Sequence, residues 1–588
     1  MTSDGATSRD LPRFDRRFFG GAETLTAIGS GALGGKATGL LAAHQALAGR
    51  TDALRFSELE IVVPTMTVIA TDIFDLFLSR NRLRDLVYAG GDDRRLALEL
   101  QRAELPTELL GDLWDLVRQV HSPLAVRSSS LLEDALAHPF AGVYATKMIP
   151  NNQHDPETRF RKLTEAVKFV FASTFFREAR GYVRAAGHGI EEEKMAVIVQ
   201  EVVGRRHGPR YYPDVAGVAR SFNYYPAGPA RPAEGVVDLA LGLGKTIVEG
   251  GRTWTYSPAH PRSGPPFNSV EHMLEQTQTE FWAVNMGPPP AYDPVAETEY
   301  LVRGDLADAE AEGTLRHIAS TYDSGSDRVA PGLRSAGPRV LNFAPLLQFG
   351  EWPLNEAVRG LLRLFEERLG SAVEIEFALT FPDERDRPAR LGFLQVRPMA
   401  TSGETVEVGE ERLRDPRAVV ASTRVMGNGV TEHIRDVVFV KPESFDIRHS
   451  RTIAGEVERL NAALTAQARP YLLMGFGRWG SADPWLGIPV TWAQISGARA
   501  IVESSLPAGA ADMSQGAHFF HNLLSFRVAY FSVTEGEGAT IDWPWLRSLP
   551  VRSETPFVRH AEAPDPLRVE VDGRCGRGVV LRGNGGPP

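Results

Sequence analysis

Hydrophobic and polar residues alternate clearly near residue 373. There "VEIEFAL" sets Val373, Ile375 and Phe377 on one side of an extended chain and Glu374 and Glu376 on the other. A second alternation follows the polar turn "TFPDERDRPAR": in "LGFLQVRPM", Leu394 and Val396 oppose Gln395 and Arg397. The two segments are expected to pair as a hairpin, gathering Glu374, Glu376, Gln395 and Arg397 on one polar face. Two carboxylates about 7 Å apart repel by roughly 2 kcal/mol at an effective dielectric of about 20. Such a face calls for a cation.

Elsewhere the patterning alternates between helix and strand, which predicts an α/β (α+β) architecture. "KATGLLAAHQALAG" reads as a helix closed by Gly49, "ELEIVVPTMTVI" as a strand region, and "MAVIVQEVV" as a buried strand. "LNEAVRGLLRLFEERLG" reads as the helix before the hairpin. Residues 1–20 are polar and expected to be disordered. Residues 257–335, rich in Pro, Gly and acidic positions, read as an irregular insertion carrying a helix near "ADAEAEGTLRHIAS". "ATSGETVEVGEE" near residue 405 reads as a linker, and residues 405–588 as a C-terminal α/β domain with a Gly/Pro-rich tail.

Composition narrows the function classes. The net charge of −10 argues against a general nucleic-acid or anionic-membrane binder, while leaving room for a local basic pocket. The single cysteine, Cys575, lies in the loop-like "DGRCGRG" and excludes an intrachain disulfide or a CxxC zinc site. "MTSDGATSRDLPRFDRR" lacks the apolar core of a secretory signal, and no run approaches the roughly 18 apolar residues of a membrane span. A cytoplasmic protein is expected.

Three segments carry residues suited to phosphate chemistry. In "GSGALGGKATG", Gly29, Gly31 and Gly34 fit GxGxxG, and Lys36 opens a helix. Ser30 and Ala37 exclude a Walker A loop, and Leu239 excludes one at "LGLGKT". What remains is a glycine turn, an ammonium and a helix start, which can meet an anion. In "PLAVRSSSLLEDALAHPFAGVYATKMIPN" a strand is expected to end at Arg127, with Ser130 and Glu133 at capping-box spacing opening a helix. Arg127 would then hold a phosphate fork just before that helix, with Gly142 and Thr146 in the turn beyond. The third segment is the hairpin, whose carboxylates, amide and guanidinium suit a Mg²⁺–polyphosphate.

"GGKATGL", "PLAVRSSSLLEDA…FAGVYATKMIPN", "VIVQEVV", "LGLGKTIVEGG" and "EIEF…FLQVRP" resemble, in order, the N-terminal nucleotide-binding domain of the phosphoenolpyruvate synthase and pyruvate phosphate dikinase family, over roughly residues 20–400. The resemblance implies an ATP-grasp fold with subdomains at 21–195 and 196–404. It implies ATP and Mg²⁺ as cofactors. Lys36, Arg127 and Arg397 would act on the phosphates, with Gly142 and Thr146 over them. Gln200, Glu201 and Val203 would form the adenine hinge. Glu374, Glu376 and Gln395 would hold the metal, Glu374 standing where the dikinases often carry Asp.

The family's Gly-Gly-x-Thr-x-His-Ala phospho-histidine motif does not occur in this chain, and the residues after 400 are too few for a TIM barrel of about 250. "WLGIPV" echoes the swivel domain's "ELGIPA", so a swivel-like C-terminal domain is one expectation, with Asp483 near the place of the histidine. His433, His518 and His521 are the candidate phosphoryl carriers, and "GRWGSADPW" suggests a site without assigning chemistry. The function implied is ATP- and Mg²⁺-dependent phosphoryl transfer to a histidine, a partner protein or a small molecule. The alternative is an ATP-binding regulatory or scaffold protein that has lost transfer. A dinucleotide oxidoreductase would leave Arg127 and the hairpin without a role.

Overall fold

The computed structural model describes residues 6–15, 24–49, 54–133, 142–265, 267, 269–333, 337–384, 387–399, 406–481, 484–505, 518–534 and 539–583. Two sheets frame the N-terminal two thirds. One has five strands in the spatial order Leu25–Ile28, Met66–Ile69, Met195–Glu201, Leu124–Ser130, Thr146–Ile149. The other has six, in the order Trp254–Tyr256, Val236–Ala240, Val215–Arg220, Val373–Thr380, Ala389–Pro398, Leu59–Val62.

The expected hairpin forms, with Glu374 opposite Arg397 and Glu376 opposite Gln395. A register shift follows Glu376, and the β-bulge it marks re-aims the strand there. The Gly34–Ala48 helix packs its apolar face, including Leu40, Ala43 and Leu47, into the core beside Val396 of the hairpin. Leu354–Leu369 forms the helix before the hairpin and ends at left-handed Gly370.

Three expectations are corrected. Residues 6–15 are packed rather than disordered: Leu11 and Phe14 are buried, and the Phe14 amide donates to the Ala27 carbonyl at 2.8 Å. Residues 257–335 are not irregular. Glu280–Asn285 and Leu301–Asp305 complete a four-stranded sheet with Arg205–His207 and Arg210–Tyr212, and Ala319–Asp323 with Arg328–Pro331 joins Arg339–Leu341 in another. The helix expected there is shorter, Leu306–Ala311, capped by Asp305 and followed by a 3-10 turn. Finally, the Arg127 strand does not stop at Arg127; it runs from Leu124 to Ser130. Its three serines pair with Met195–Val197 of the neighbouring strand, and their hydroxyls find buried partners, so polar residues are tolerated at its end. The reciprocal Ser130–Glu133 bonds do form (3.1 and 3.2 Å); the helix expected after them falls on 134–141, outside the described residues.

The C-terminal third is α/β, as expected. Asn428–Val440, Tyr471–Phe476, Ala498–Ser504 and Ala529–Val533 lie parallel within a larger mixed sheet, with the helix Ser450–Ala466 between the first two. Of the linker expected near residue 405, residues 400–405 lie outside the described residues, as does Asp483, while Val408 is buried and Glu410 opens the short helix Glu410–Leu413. Among those described, no helix is long and apolar enough to cross a membrane.

Candidate functional site

The two framing sheets meet around a cavity of about 300 Å³. Its lining includes Lys36, Arg127, Gly142, Thr146, Gln200, Glu201, Val203, Glu376, Gln395 and Arg397. Every residue expected to bind the nucleotide or its metal, except Glu374, therefore faces one space.

Each wall is fixed by contacts between segments distant in sequence. Gly34 adopts φ +75°, and a Cβ there would stand 1.8 Å from the Ser129 carbonyl oxygen. That contact seats the helix start against the Arg127 strand. Ser129 Oγ receives the Ala37 amide (3.0 Å) and donates to the Leu33 carbonyl (2.8 Å), capping the helix from another element. Lys36 is thereby held nearly buried, its ammonium 2.6 Å from Glu133 and 3.2 Å from Ser128 Oγ.

Arg127 lies mid-strand, not at a helix N-terminus, and ties three walls together. It donates to Gln200 Oε1 (3.2 Å), the Leu394 carbonyl (2.8 Å) and Gln395 Oε1 (2.8 Å), and stands 3.9 Å from Glu376. Thr146 pairs with it in register on the adjoining strand. Glu201 accepts from Ser122 Oγ at 2.6 Å at the strand's far end.

Glu374 and Glu376 separate sharply. Glu374 is 2% exposed and does not line the cavity. It is gripped by Arg220 (2.6 Å) and Arg397, and Arg220 also holds Asp238 at 3.2 Å. Arginines relieve the repulsion expected at this carboxylate, so the reading of Glu374 as a metal ligand does not fit its surroundings. Glu376 faces the cavity, with Arg397 at 3.7 Å. Among the described residues, no three His, Cys, Asp or Glu side chains gather to hold a metal by themselves. Magnesium, however, commonly takes one or two protein oxygens and completes its shell with water and substrate phosphates. Glu376 and Gln395, side by side in register, fit that smaller demand.

Residues the pattern did not single out also line the cavity. Lys245, which opens the short helix Lys245–Val248 after "LGLG", pairs with Glu249 at 2.6 Å. Its motif, "LGLGKTIVEGG", carries part of the family resemblance but fails the Walker spacing, and the sequence assigned Lys245 itself no role. Glu297 comes from the segment read as irregular, and no periodicity marks it. Tyr144 donates to Glu193 (2.7 Å); burial pushes its hydroxyl well above the ordinary range, and burial raises the Glu193 carboxyl to about 7. The charged lining is balanced: Lys36, Arg127, Lys245 and Arg397 face Glu201, Glu249, Glu297 and Glu376. Met148, Val202, Leu243 and Leu301 supply an apolar part.

His433 is exposed and lies on other grooves; the side chains of His518 and His521 are outside the described residues. Residues 30–416 match a family model described as pyruvate phosphate dikinase, AMP/ATP-binding domain, which covers about two thirds of the 588 residues. The chain thus belongs to the pyruvate phosphate dikinase AMP/ATP-binding-domain family.

Proposed function

We propose that this protein is an ATP-dependent phosphotransferase that works with Mg²⁺. The observation carrying this reading is that Lys36, Arg127, Arg397, Glu376 and Gln395, drawn from distant segments, face a single cavity with an apolar side. In this reading the apolar part, with Gln200, Glu201 and Val203 at the hinge, takes the adenine. Lys36, Arg127 and Arg397 bind the phosphates, and Gly142 and Thr146 lie over them. Glu376 and Gln395 would hold Mg²⁺, which when bound neutralises phosphate charge. Phosphoryl transfer is promoted mainly by positioning and charge stabilisation, so a site without a protein nucleophile suffices. The acceptor is then a histidine of this chain, a partner protein or a small molecule.

Incubation with ATP and Mg²⁺, followed by ³¹P NMR of the products, tests this reading. AMP with phosphate, and protein labelled from β-labelled ATP, indicates dikinase chemistry; ADP indicates a simple kinase. Arg127→Ala is expected to abolish turnover while circular dichroism stays native. Tight ATP binding with no turnover, whatever acceptor is offered, would instead support the regulatory or scaffold reading.

A further inference from the structure

A second cavity, of about 130 Å³, is built jointly by the nucleotide-binding part and the C-terminal third. Its described lining contains Arg252, Arg424, Arg478 and His260 and no Asp or Glu, on a chain whose net charge is −10. His260 meets Glu234 at 3.3 Å, and Glu503 attracts Arg424 and Arg478 from behind the wall; neither carboxylate is part of the lining.

Arg478 is installed by the "GFGRWG" motif. It belongs to a two-residue strand, Arg478–Trp479, paired in parallel with Gly487–Ile488. Strand alternation sends the two side chains opposite ways. Trp479 is fully buried and its indole N–H donates to the Val502 carbonyl at 3.2 Å. A Cβ on Gly487 would lie 2.0 Å from the Arg478 carbonyl oxygen, so glycine is required for the pairing. Arg478, 7% exposed, therefore turns toward the cavity and donates to the Gly250 carbonyl at 3.3 Å.

Hydroxyls complete the wall. Ser257 Oγ and the phenol oxygens of Tyr225 and Tyr256 are buried without a hydrogen-bond partner among the described residues. Ser257 and Tyr256 are 7% and 3% exposed. Leaving buried hydroxyls unsatisfied is costly, and folded proteins seldom do so without a use for them. A cavity near 150 Å³ accommodates a molecule the size of benzene, so this one suits roughly six non-hydrogen atoms.

We propose that this cavity binds a small hydroxylated oxyanion, its charged head held by Arg424 and Arg478 and its hydroxyls by Ser257 and Tyr225. The shared chemistry is the anionic head, which a phosphate or a carboxylate can supply. The site stands whether or not the neighbouring cavity holds ATP.

Calorimetric titration of the full chain with inorganic phosphate, and separately with glycerate, distinguishes the two heads. Saturable one-to-one binding of either probe is expected below about 10 mM. Loss of one guanidinium, in Arg424→Gln or Arg478→Gln, is expected to weaken it at least about tenfold. Arg127→Gln, in the other cavity, should leave it unchanged. Half-buried Arg424 keeps the test valid should Arg478→Gln fail to fold. The site is overturned if neither probe binds, if Arg424→Gln binds as well as wild type, or if Arg127→Gln is the variant that loses binding.

Discussion

The two cavities differ first in how they carry charge. The larger sets four cations against four carboxylates, and all four cations are already engaged, by Glu133, Gln395, Glu249 and Glu374. The smaller sets three arginines and a histidine against no carboxylate among its described lining. A pocket lined with both signs suits a ligand that brings its own cation, because carboxylates there can share the metal while guanidiniums hold the phosphates. A pocket lined with one sign suits an anion that arrives alone. Within the larger cavity the same contrast recurs between neighbours: Glu374 belongs to the fold, and Glu376 to the space.

The largest effect that could break this distinction is on stability. Glu374→Ala would leave Arg220 and Arg397 facing each other in the core, and is expected to cost about 3–5 kcal/mol in urea denaturation. A change below about 1 kcal/mol would mean that Glu374 is not the structural member of the pair. Glu376→Ala should do the reverse: turnover of ATP should fall by about 10²–10³-fold with stability within about 1 kcal/mol of wild type. Steady-state kinetics beside a denaturation curve reads both.

Each cavity also has a buried carboxylate bonded to a tyrosine nearby, Glu193 with Tyr144 and Glu503 with Tyr530. Burial raises Glu193 to about 7, so the folded protein keeps this proton where the unfolded chain has released it. Its contribution is full below the unfolded carboxyl value and is lost as pH rises from about 4.5 to 7, by no more than about 3 kcal/mol. Glu193→Gln is expected to flatten stability over that window; an unchanged slope would assign the proton elsewhere. The smallest effect is a control away from both cavities. Asp155 caps the helix Pro156–Ser173, accepting from Glu157 and Thr158 amides at 3.0 and 2.9 Å. Asp155→Ala should cost about 1 kcal/mol and leave ligand binding by either cavity as it was.

Legibility in the sequence followed the length scale of each interaction. The hairpin was readable because strict alternation fixes which side chains share a face, and the register then brings Glu376 to Gln395. Glu374 was misjudged because its partner Arg220 lies 154 residues away in sequence, and nothing local announces that pairing. The strand through Ser128–Ser130 was cut short because three serines read as a turn. Their buried partners, Lys36 and the Leu33 carbonyl, come from a helix start more than ninety positions earlier. Residues 257–335 concealed their strands because these are only four to six residues long and unevenly buried. The arginine cavity was half visible: "GRWG" stood out as unusual, but its chemistry depends on walls supplied by Ser257 and Tyr225.

The press of Gly34 against the Ser129 carbonyl has a mechanical consequence. It fastens the Lys36 helix to the Arg127 strand, and Arg127 in turn spans to the hairpin at Leu394 and Gln395. Ammonium, guanidinium and amide are thus positioned together, and shifting the helix, the strand or the hairpin alone would break the Gly34–Ser129 contact or the Arg127 hydrogen bonds. The facing lip is tied to the same frame, since Glu297 accepts from the Thr146 amide at 3.2 Å on the strand beside Arg127.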